Sequence, residues 1–446
     1  MFRSIFKLNP LKFQNIWLFI PALTIIFFGI QSFVGLFYLG GSASWQVIWI
    51  ILAGTLSYII TYRFFKFSNR YKPTPFYISS RGIERTLIII AIAYFTLIIY
   101  LCATVEKIAI LEALQGATAI EISESREMFF RTRSGIEKSF VYIFTIFSSA
   151  VMPYFLMMGF INKIKIALPI FILFLISLLL SMEKALLMKA MLPIFLISLN
   201  GYFPKKWMII SPLIIVLVLL SMTYLARGGD EGKSVGTIST VAVFPSIPKE
   251  IDLDDHDSSY DERNEMNQKL GLFQGGKQLT LGQHIRKYYP LRGKTGFGFL
   301  VNRIVWIPYV TAYDWIKYFH EEMKGEHALG KTSSFISAVL REKKVPVEQY
   351  VFDYQFGLGP TQTAGANANF MIDAFVNFGW IGVFLIPAFM GWAVSLIESL
   401  DNPAASAGFY FYLLQLLGGG FLGSFLGGGL AIYILIICIF QPKKHE

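Results

Sequence analysis

The chain has 446 residues, of which 54% are hydrophobic and 15% are charged, and its formal net charge is +10. Average soluble domains carry about 25% charged residues, so this composition excludes an ordinary soluble domain and favours a membrane protein. The two cysteines, Cys102 and Cys438, are predicted at opposite membrane faces, which excludes a disulfide framework. No P-loop, GxGxxG, HExxH or CxxC motif is present, so the sequence indicates no nucleotide, dinucleotide or metal site.

About ten apolar stretches are long enough to cross a membrane, because ~20 residues rising 1.5 Å each span the hydrocarbon core. The predicted spans are 16–39, 45–62, 86–105, 139–161, 166–182, 185–203, 207–226, 379–398, 404–423 and 425–441. Basic residues precede the first span, as in a signal peptide. Its apolar run is longer than the usual ~7–15 residues of a signal core, however, so we interpret it as an uncleaved span.

Basic residues in the short loops predict how the spans are oriented. They concentrate in loop 63–85, in loops 162–165 and 204–206, and after the last span. The opposite side carries uncharged short connections, such as 418–428. Both termini are therefore expected in the cytoplasm. The net positive charge reflects this topology, and no nucleic-acid partner is expected.

Two segments on the other side are too long to be simple connectors. Segment 106–138 has the apolar spacing of an amphipathic helix lying on the surface. Segment 227–368 spans about 140 residues, and loops longer than ~12–15 residues are usually functional. Within it, 296–319 is predicted as an interfacial or re-entrant helix pair, because Pro308 would kink a full span.

These elements predict an all-α polytopic membrane protein with three parts. An N-terminal bundle of about seven spans covers 1–226, a large outer loop covers 227–368, and a C-terminal bundle of about three spans covers 369–446. Counting re-entrant segments raises the number of spans to about eleven or twelve.

Several basic residues are predicted at membrane depth or at the outer end of a span, where a charge is costly and indicates function. Lys189 enters the sixth span by more than one turn, and Arg303 is flanked by "FLVN" and "IVWIP". Fixed cations around one cleft suit a lipid diphosphate, and arginine suits bidentate phosphate recognition. The predicted set is Lys184, Lys189, Arg227 and Arg303, with Arg126 or Arg131. The structural alternatives are neutralisation of Lys184 by Glu183 and interfacial anchoring by Arg227.

A polar stripe precedes the eighth predicted span. Its members, Asn369, Asp373 and Asn377, recur every four residues, which places them on one face of a helix. We predict that the stripe faces an outer cavity. The alternatives are an ion pair between Asp373 and an arginine of the large loop, and capping of the helix start by the amides. Asp373 is one candidate for a catalytic base and His284 is another, and the alternative for His284 is a solvated surface histidine.

Four fragments give the chain a resemblance to bacterial O-antigen polymerases of the Wzy type. They are "SMEKALLMKAMLPIF" (181–195), "TYLARGGD" (223–230), "FLVNRIVWIPYVTAYDW" (299–315) and "ANANFMIDAFVNFGWIGV" (366–383). The plan of many spans with one large late outer loop is also similar. Lys184 stands where such enzymes usually have an arginine.

The resemblance implies a GT-C-like fold in the bacterial inner membrane and a metal-independent glycosyltransferase. The growing glycan would pass from undecaprenyl diphosphate to the non-reducing end of another lipid-linked repeat at the periplasmic face. Lipid-linked oligosaccharide is then donor and acceptor, a chain-length regulator is a further candidate partner, and no cofactor is expected. The cations, Arg303 above all, would bind the diphosphate; Asn367, Asn369 and Asn377 would hold substrate; and Asp373 would take the proton of the attacking hydroxyl.

Three alternatives share part of this plan. An O-antigen ligase moves finished glycan to lipid A core and usually has a basic outer loop with histidine, which here only His284 supplies. A transporter or flippase is expected to carry charges along a pathway through the membrane. A structural scaffold explains the loops but explains neither Arg303 nor Lys189.

Overall fold

Most of the described backbone is helical, because an apolar segment in a membrane must satisfy its own backbone hydrogen bonds. The structure, a computed structural model, describes residues 11–39, 41–68, 75–130, 133, 135–182, 184–228, 306–356 and 365–443. The N-terminal helices are α1 (13–38), α2 (Gly41–Ser68), α3 (Ser80–Ala103), α4 (Ala109–Leu114), α5 (Ala119–Phe130), α6 (135–161), α7 (Ala167–Leu179), α8 (Lys184–Leu199) and α9 (Trp207–Gly228). The later helices are α10 (Ile307–Glu321), α11 (Ser334–Leu340), α12 (Val347–Phe356), α13 (Phe370–Leu400), α14 (Pro403–Leu417) and α15 (Leu430–Ile439).

Each predicted span overlaps a helix, although the last two, 404–423 and 425–441, also include non-helical residues. Within the described ranges, five helices are long and apolar enough to cross a membrane. They are Phe13–Phe37, Gly41–Ser68, Ser80–Ala103, Glu137–Ile161 and Phe370–Leu400. The other predicted spans correspond to shorter helices. The helices support the predicted helical membrane protein, whereas ten spans, the GT-C-like arrangement and the three-part division remain predictions.

The longest described helix, α13, packs along α2. Small residues permit the close approach: a Cβ at Gly391 would overlap the Tyr58 carbonyl oxygen, and one at Gly54 would lie 2.8 Å from Met371 Sδ. Glycine at such contacts lets two helix backbones approach closely in an apolar environment. The hydroxyl of Ser57 also donates to the Phe384 carbonyl at 2.7 Å. These two long helices run side by side and reach both ends of the bundle.

A short parallel sheet marks one end of the bundle. Strand β1 (Phe76–Ile78) pairs with β2 (Phe440–Pro442), with Phe76 opposite Phe440. We call this the sheet end. It places part of basic loop 63–85 beside the end of the last predicted span, so these two segments lie at the same end of the bundle. Which end faces the cytoplasm remains a prediction.

Helices α10, α11 and α12 lie at the opposite end, which we call the loop end because they belong to the predicted outer loop. His320 contacts Gln46, near the start of α2, with 2.6 Å between Nε2 and Oε1. Segment 296–319 was predicted as a helix pair, and its described part belongs to the single helix α10. Pro308 lies in the first turn of that helix, where a proline fits without a kink.

The other predicted outer segment, 106–138, forms α4, α5 and the first residues of α6. Ala109 and Ala113 of α4 are buried against Met182 and Met222. Leu111 and Leu114 of the same helix are exposed. The segment therefore docks on the ends of neighbouring helices by its small residues and presents its leucines outward.

Candidate functional site

Helices α10 and α12 form a polar contact above the start of α13. Gln355 donates to the buried Asp314 carboxylate, with 2.8 Å between Nε2 and Oδ2, and Trp315 donates its indole N–H to the Ala366 carbonyl at 2.7 Å. Tyr354 donates to Glu321 at 2.6 Å. Burial, together with that hydrogen bond, raises the pKa of Tyr354 well above its ordinary value, so this hydroxyl remains a donor. These contacts hold the chain that leads into the polar stripe.

Asn369 is the N-cap of α13. Its Oδ1 accepts a hydrogen bond from the Met371 amide at 2.8 Å, which satisfies one of the free N–H groups at the helix start. The side chain is buried, with 2% of the residue exposed. Its Nδ2 has no hydrogen-bond partner among the described residues. The capping alternative from the sequence is therefore observed, and it uses only half of the amide.

Asp373 lies one turn further along and is also buried. Its Oδ1 accepts from Asn377 Nδ2 at 2.9 Å, and its Oδ2 accepts from the Phe421 amide at 3.0 Å. A Cβ at Gly420 would lie 2.9 Å from Oδ2, so a glycine is needed at 420 for this approach. The carboxylate therefore fastens the glycine-rich turn 418–428 to α13. Among the described residues, the hydrogen-bond donors to this carboxylate are the side-chain amide of Asn377 and the backbone N–H of Phe421.

Asn377 connects α13 to the loop between α10 and α11. Its Oδ1 accepts from the Gly330 amide at 3.0 Å and from the Thr332 hydroxyl at 3.1 Å. The backbone of the same loop also bonds α13, since the Leu329 amide donates to the Asn377 carbonyl at 2.9 Å. Asp373 and Asn377 thus lie one turn apart on α13 and contact each other, whereas Asn369 caps the helix with a non-helical backbone. In the structure, Asp373 and Asn377 hold neighbouring segments together.

The helix changes direction directly after the stripe. Gly379 has a φ of +62°, a conformation that favours glycine, and the predicted span was expected to begin at this residue. A Cβ at Gly379 would lie 2.8 Å from His327 Nε2. His327 also stacks on Phe319 of α10, with 5.0 Å between ring centroids. Glycine at 379 therefore permits both the bend in α13 and the close packing of the loop that carries His327.

A cavity of about 210 Å³ lies beside Asn369. Its polar lining comes from Thr311, Asn367 and Asn369, and its apolar lining includes Phe27, Pro308 and Leu414. Asn367 is exposed, whereas Asn369 and Thr311 are buried. An amide nitrogen is a donor with two hydrogens, and a buried donor without a partner costs about 1–3 kcal/mol. The cavity therefore suits a ligand that presents oxygen acceptors.

The predicted cations lie on several different elements. Lys189 is buried in α8 with 8% of the residue exposed, and Arg126 is partly exposed in α5. Lys184 begins α8 and Arg227 lies in the last turn of α9, and the structure gives only their helix positions. Arg131, His284 and Arg303 lie outside the described residues. The shared diphosphate-binding cleft remains a prediction.

Sequence reasoning missed Thr311 and the loop residues Gly330 and Thr332. Sequence reasoning also missed Arg133 as a structural residue. Its guanidinium is buried and donates to the Leu101 carbonyl and the Thr104 hydroxyl, each at 2.7 Å.

No protein-family model, no curated protein and no solved structure matches the chain.

Proposed function

We propose that this chain polymerises lipid-linked oligosaccharide repeats in the bacterial inner membrane. The growing glycan passes from undecaprenyl diphosphate to the non-reducing end of a second lipid-linked repeat. In this proposal the loop end faces the periplasm, and the sheet end, with its basic neighbouring loop, faces the cytoplasm. The proposal is supported by the four sequence fragments, by the charge asymmetry of the loops and by the helices that cover the loop end.

The observation that carries the proposal is the cavity beside Asn369. A sugar presents many hydroxyl oxygens, and sites for such ligands combine apolar walls with a few fixed polar groups. Here those groups are Thr311, Asn367 and Asn369. The hydrogen bond to the Met371 amide fixes the side chain of Asn369. Its Nδ2 can therefore donate to a ligand without a further loss of side-chain freedom. We assign this cavity to a sugar of the lipid-linked substrate.

The reaction forms a bond between an acceptor hydroxyl oxygen and the anomeric carbon of the donor. The bond from that carbon to the diphosphate breaks, and the diphosphate leaves with the electron pair. Arginine and lysine side chains would stabilise the leaving charge, and Arg303 is the residue we expect to contribute most. The hydroxyl proton must pass to a base within about 2.6–3.2 Å of it.

Asp373 fits a positioning role better than the role of base. Each of its carboxylate oxygens already accepts one hydrogen bond, from Asn377 and from the Phe421 amide. These bonds orient the carboxylate towards turn 418–428, and Leu417 and Gly418 at the start of that turn line the Asn369 cavity. Asp373 therefore supports a wall of the cavity. The base role predicted for it is tested by the Asp373→Asn variant described below.

The deciding experiment is polymerisation by the purified full chain with a synthetic lipid-linked repeat. A ladder of products that differ by one repeat is the expected result. Transfer of one preformed glycan to lipid A core, without a ladder, would identify the ligase alternative. Movement of the repeat across a bilayer without a new glycosidic bond would identify the flippase alternative.

A further inference from the structure

A second cavity, of about 480 Å³, lies at the sheet end and plays no part in the proposed reaction. It lies among the first residues of α1, the last turn of α2, the end of α13 and the start of α14. Three charged residues line it: Lys66, Glu398 and Asp401. Hydroxyl groups and aromatic rings complete the lining, among them Ser395, Ser399, Phe65 and Trp392.

Glu398 is the central residue of this cavity. Its Oε2 accepts from the Tyr62 hydroxyl at 2.7 Å and from Lys66 Nζ at 2.8 Å. Its side chain is 91% buried, since only 9% is exposed. Its Oε1 has no hydrogen-bond partner within the described ranges. A buried carboxylate oxygen without a donor is costly, so the arrangement favours a ligand that brings an N–H or O–H donor.

The chemistry of Glu398 indicates the kind of donor. Its oxygen without a partner belongs to a carboxylate, and a hydrogen bond from an ammonium group to a carboxylate is stronger than one from a neutral donor. Aromatic rings in the lining also attract ammonium groups. Lys66 uses two of its three N–H donors on Glu398 and Tyr62, and half of its side chain is exposed. The remaining donor can bind a phosphate oxygen.

The position of the cavity indicates the source of such a ligand. Lys66 and Glu398 lie near the ends of Gly41–Ser68 and Phe370–Leu400, two helices long enough to cross a membrane. The end of a membrane span lies at the level of the lipid headgroups. We infer that this cavity binds the phosphoethanolamine headgroup of a membrane phospholipid, with its ammonium at Glu398 and its phosphate at Lys66.

The test uses the purified full chain in detergent, titrated with short-chain phosphatidylethanolamine, phosphatidylcholine and phosphatidylglycerol. Bound lipid is counted by native mass spectrometry, and the thermal unfolding midpoint is recorded. We expect phosphatidylethanolamine to bind about tenfold or more tightly than the other two, because a quaternary ammonium or a glycerol lacks the charged N–H donor. Equal binding of the three lipids would overturn the inference.

Two variants and one control assign the preference to this cavity. Glu398→Gln should weaken phosphatidylethanolamine binding about tenfold or more, whereas Glu84→Gln, an exposed carboxylate of α3, should leave it unchanged. Ser395→Leu fills the cavity and leaves the contacts of Glu398 with Tyr62 and Lys66 in place, which covers the case in which Glu398→Gln fails to fold. Wild-type binding by either folded variant would contradict the inference. An equal shift with free ethanolamine would show a soluble amine as the ligand and would overturn the lipid assignment.

Discussion

Two asparagines cap helices at opposite ends of α13, and the comparison between them shows where the fold leaves a group unused. Asn369 begins α13 at the loop end, and Asn402 begins α14 at the sheet end. Both are buried, and the Oδ1 of each accepts from backbone amides of the first turn. Asn402 also donates from Nδ2 to the Tyr154 hydroxyl at 3.0 Å and to Gln441 Oε1 at 2.7 Å. The Nδ2 of Asn369 has no corresponding partner among the described residues.

This difference separates a folding role from a ligand-binding role. At the sheet end the whole amide is used, because Asn402 ties α6, α14 and β2 together. At the loop end the described residues use only the oxygen of Asn369, and the residue lines a polar cavity. Serine caps a helix about as well as asparagine but has no amide nitrogen. Substitution by serine at both positions therefore tests the comparison directly, and other variants test the surroundings of each asparagine.

The largest effect is expected on chemistry at the loop end. Arg303→Ala should lower the rate of polymerisation about 10- to 150-fold, because a charge-assisted contact to an anion contributes about 1.5–3 kcal/mol. Arg303→Lys should restore only part of the rate, since a point charge cannot replace the planar fork of arginine. The measurement is ladder formation by purified protein at equal amounts. Arg85→Ala, an exposed arginine at the start of α3, is the control. Normal chain lengths from Arg303→Ala would refute the diphosphate contact.

The next effect is on stability at the sheet end. Asn402→Ser should lower the free energy of unfolding by about 1–3 kcal/mol, because it keeps the cap and removes the donor to Tyr154 and Gln441. Denaturant unfolding in detergent measures the change. Polymerisation per folded molecule should stay near the wild-type rate. A stability equal to wild type would show that the Nδ2 hydrogen bonds of Asn402 contribute nothing to folding, which would contradict the structural role given to Asn402.

Asp373→Asn distinguishes the positioning role from the role of base. An amide at 373 must turn one N–H group towards either the Phe421 amide or Asn377 Nδ2, and both are donors. Asn377 cannot turn its amide over without losing Gly330 and Thr332. A positioning role therefore predicts a loss of about 1–3 kcal/mol in unfolding free energy and little loss in rate per folded molecule.

Gly420→Ala checks this assignment without a change at Asp373. The new methyl group would push the Asp373 carboxylate away from the Phe421 amide, and this overpacking should lower the free energy of unfolding by about 1–3 kcal/mol. Gly423→Ala meets no atom within 4 Å and is the matched control. A rate decrease of ~10²-fold or more in stable Asp373→Asn protein would instead support Asp373 as the base. An unchanged rate would leave His284, Glu183 or direct attack without a protein base as the alternatives.

Sequence reasoning predicted the helices and the helical spacing of the stripe, because both depend on residues close together in the chain. It did not predict what the stripe contacts. Phe421 is 48 residues from Asp373, and Gly330 is 47 residues from Asn377. The contact of Lys66 with Glu398 spans 332 residues. Such pairs depend on which helices become neighbours, and neither apolar periodicity nor charge asymmetry encodes that.

The two capping asparagines make the same point at the level of one residue type. Each follows a polar or small residue and precedes an apolar helix, so the sequence offers the same capping signal for both. Only the surroundings of Nδ2 distinguish them, and these surroundings come from α6 and β2 at one end and from α10 at the other. The spare amide of Asn369 is therefore visible only in three dimensions.

Asn369→Ser is expected to cause the smallest change in stability, and it is the most informative variant. The hydroxyl keeps the bond to the Met371 amide, and no Nδ2 bond to a described residue is lost, so the unfolding free energy should change by no more than about 0.5 kcal/mol. If Nδ2 donates to a sugar oxygen, polymerisation should slow about 2- to 10-fold, the equivalent of about 0.5–1.5 kcal/mol for a neutral hydrogen bond. Asn369→Ala is the companion variant, since it removes cap and donor together and should add a stability loss of about 1 kcal/mol. Stable Asn369→Ser protein with a wild-type rate would remove Asn369 from the substrate site. An equal rate decrease in Asn402→Ser would show that the two asparagines do not differ in function. It would contradict the assignment of the cavity beside Asn369 to a sugar of the substrate.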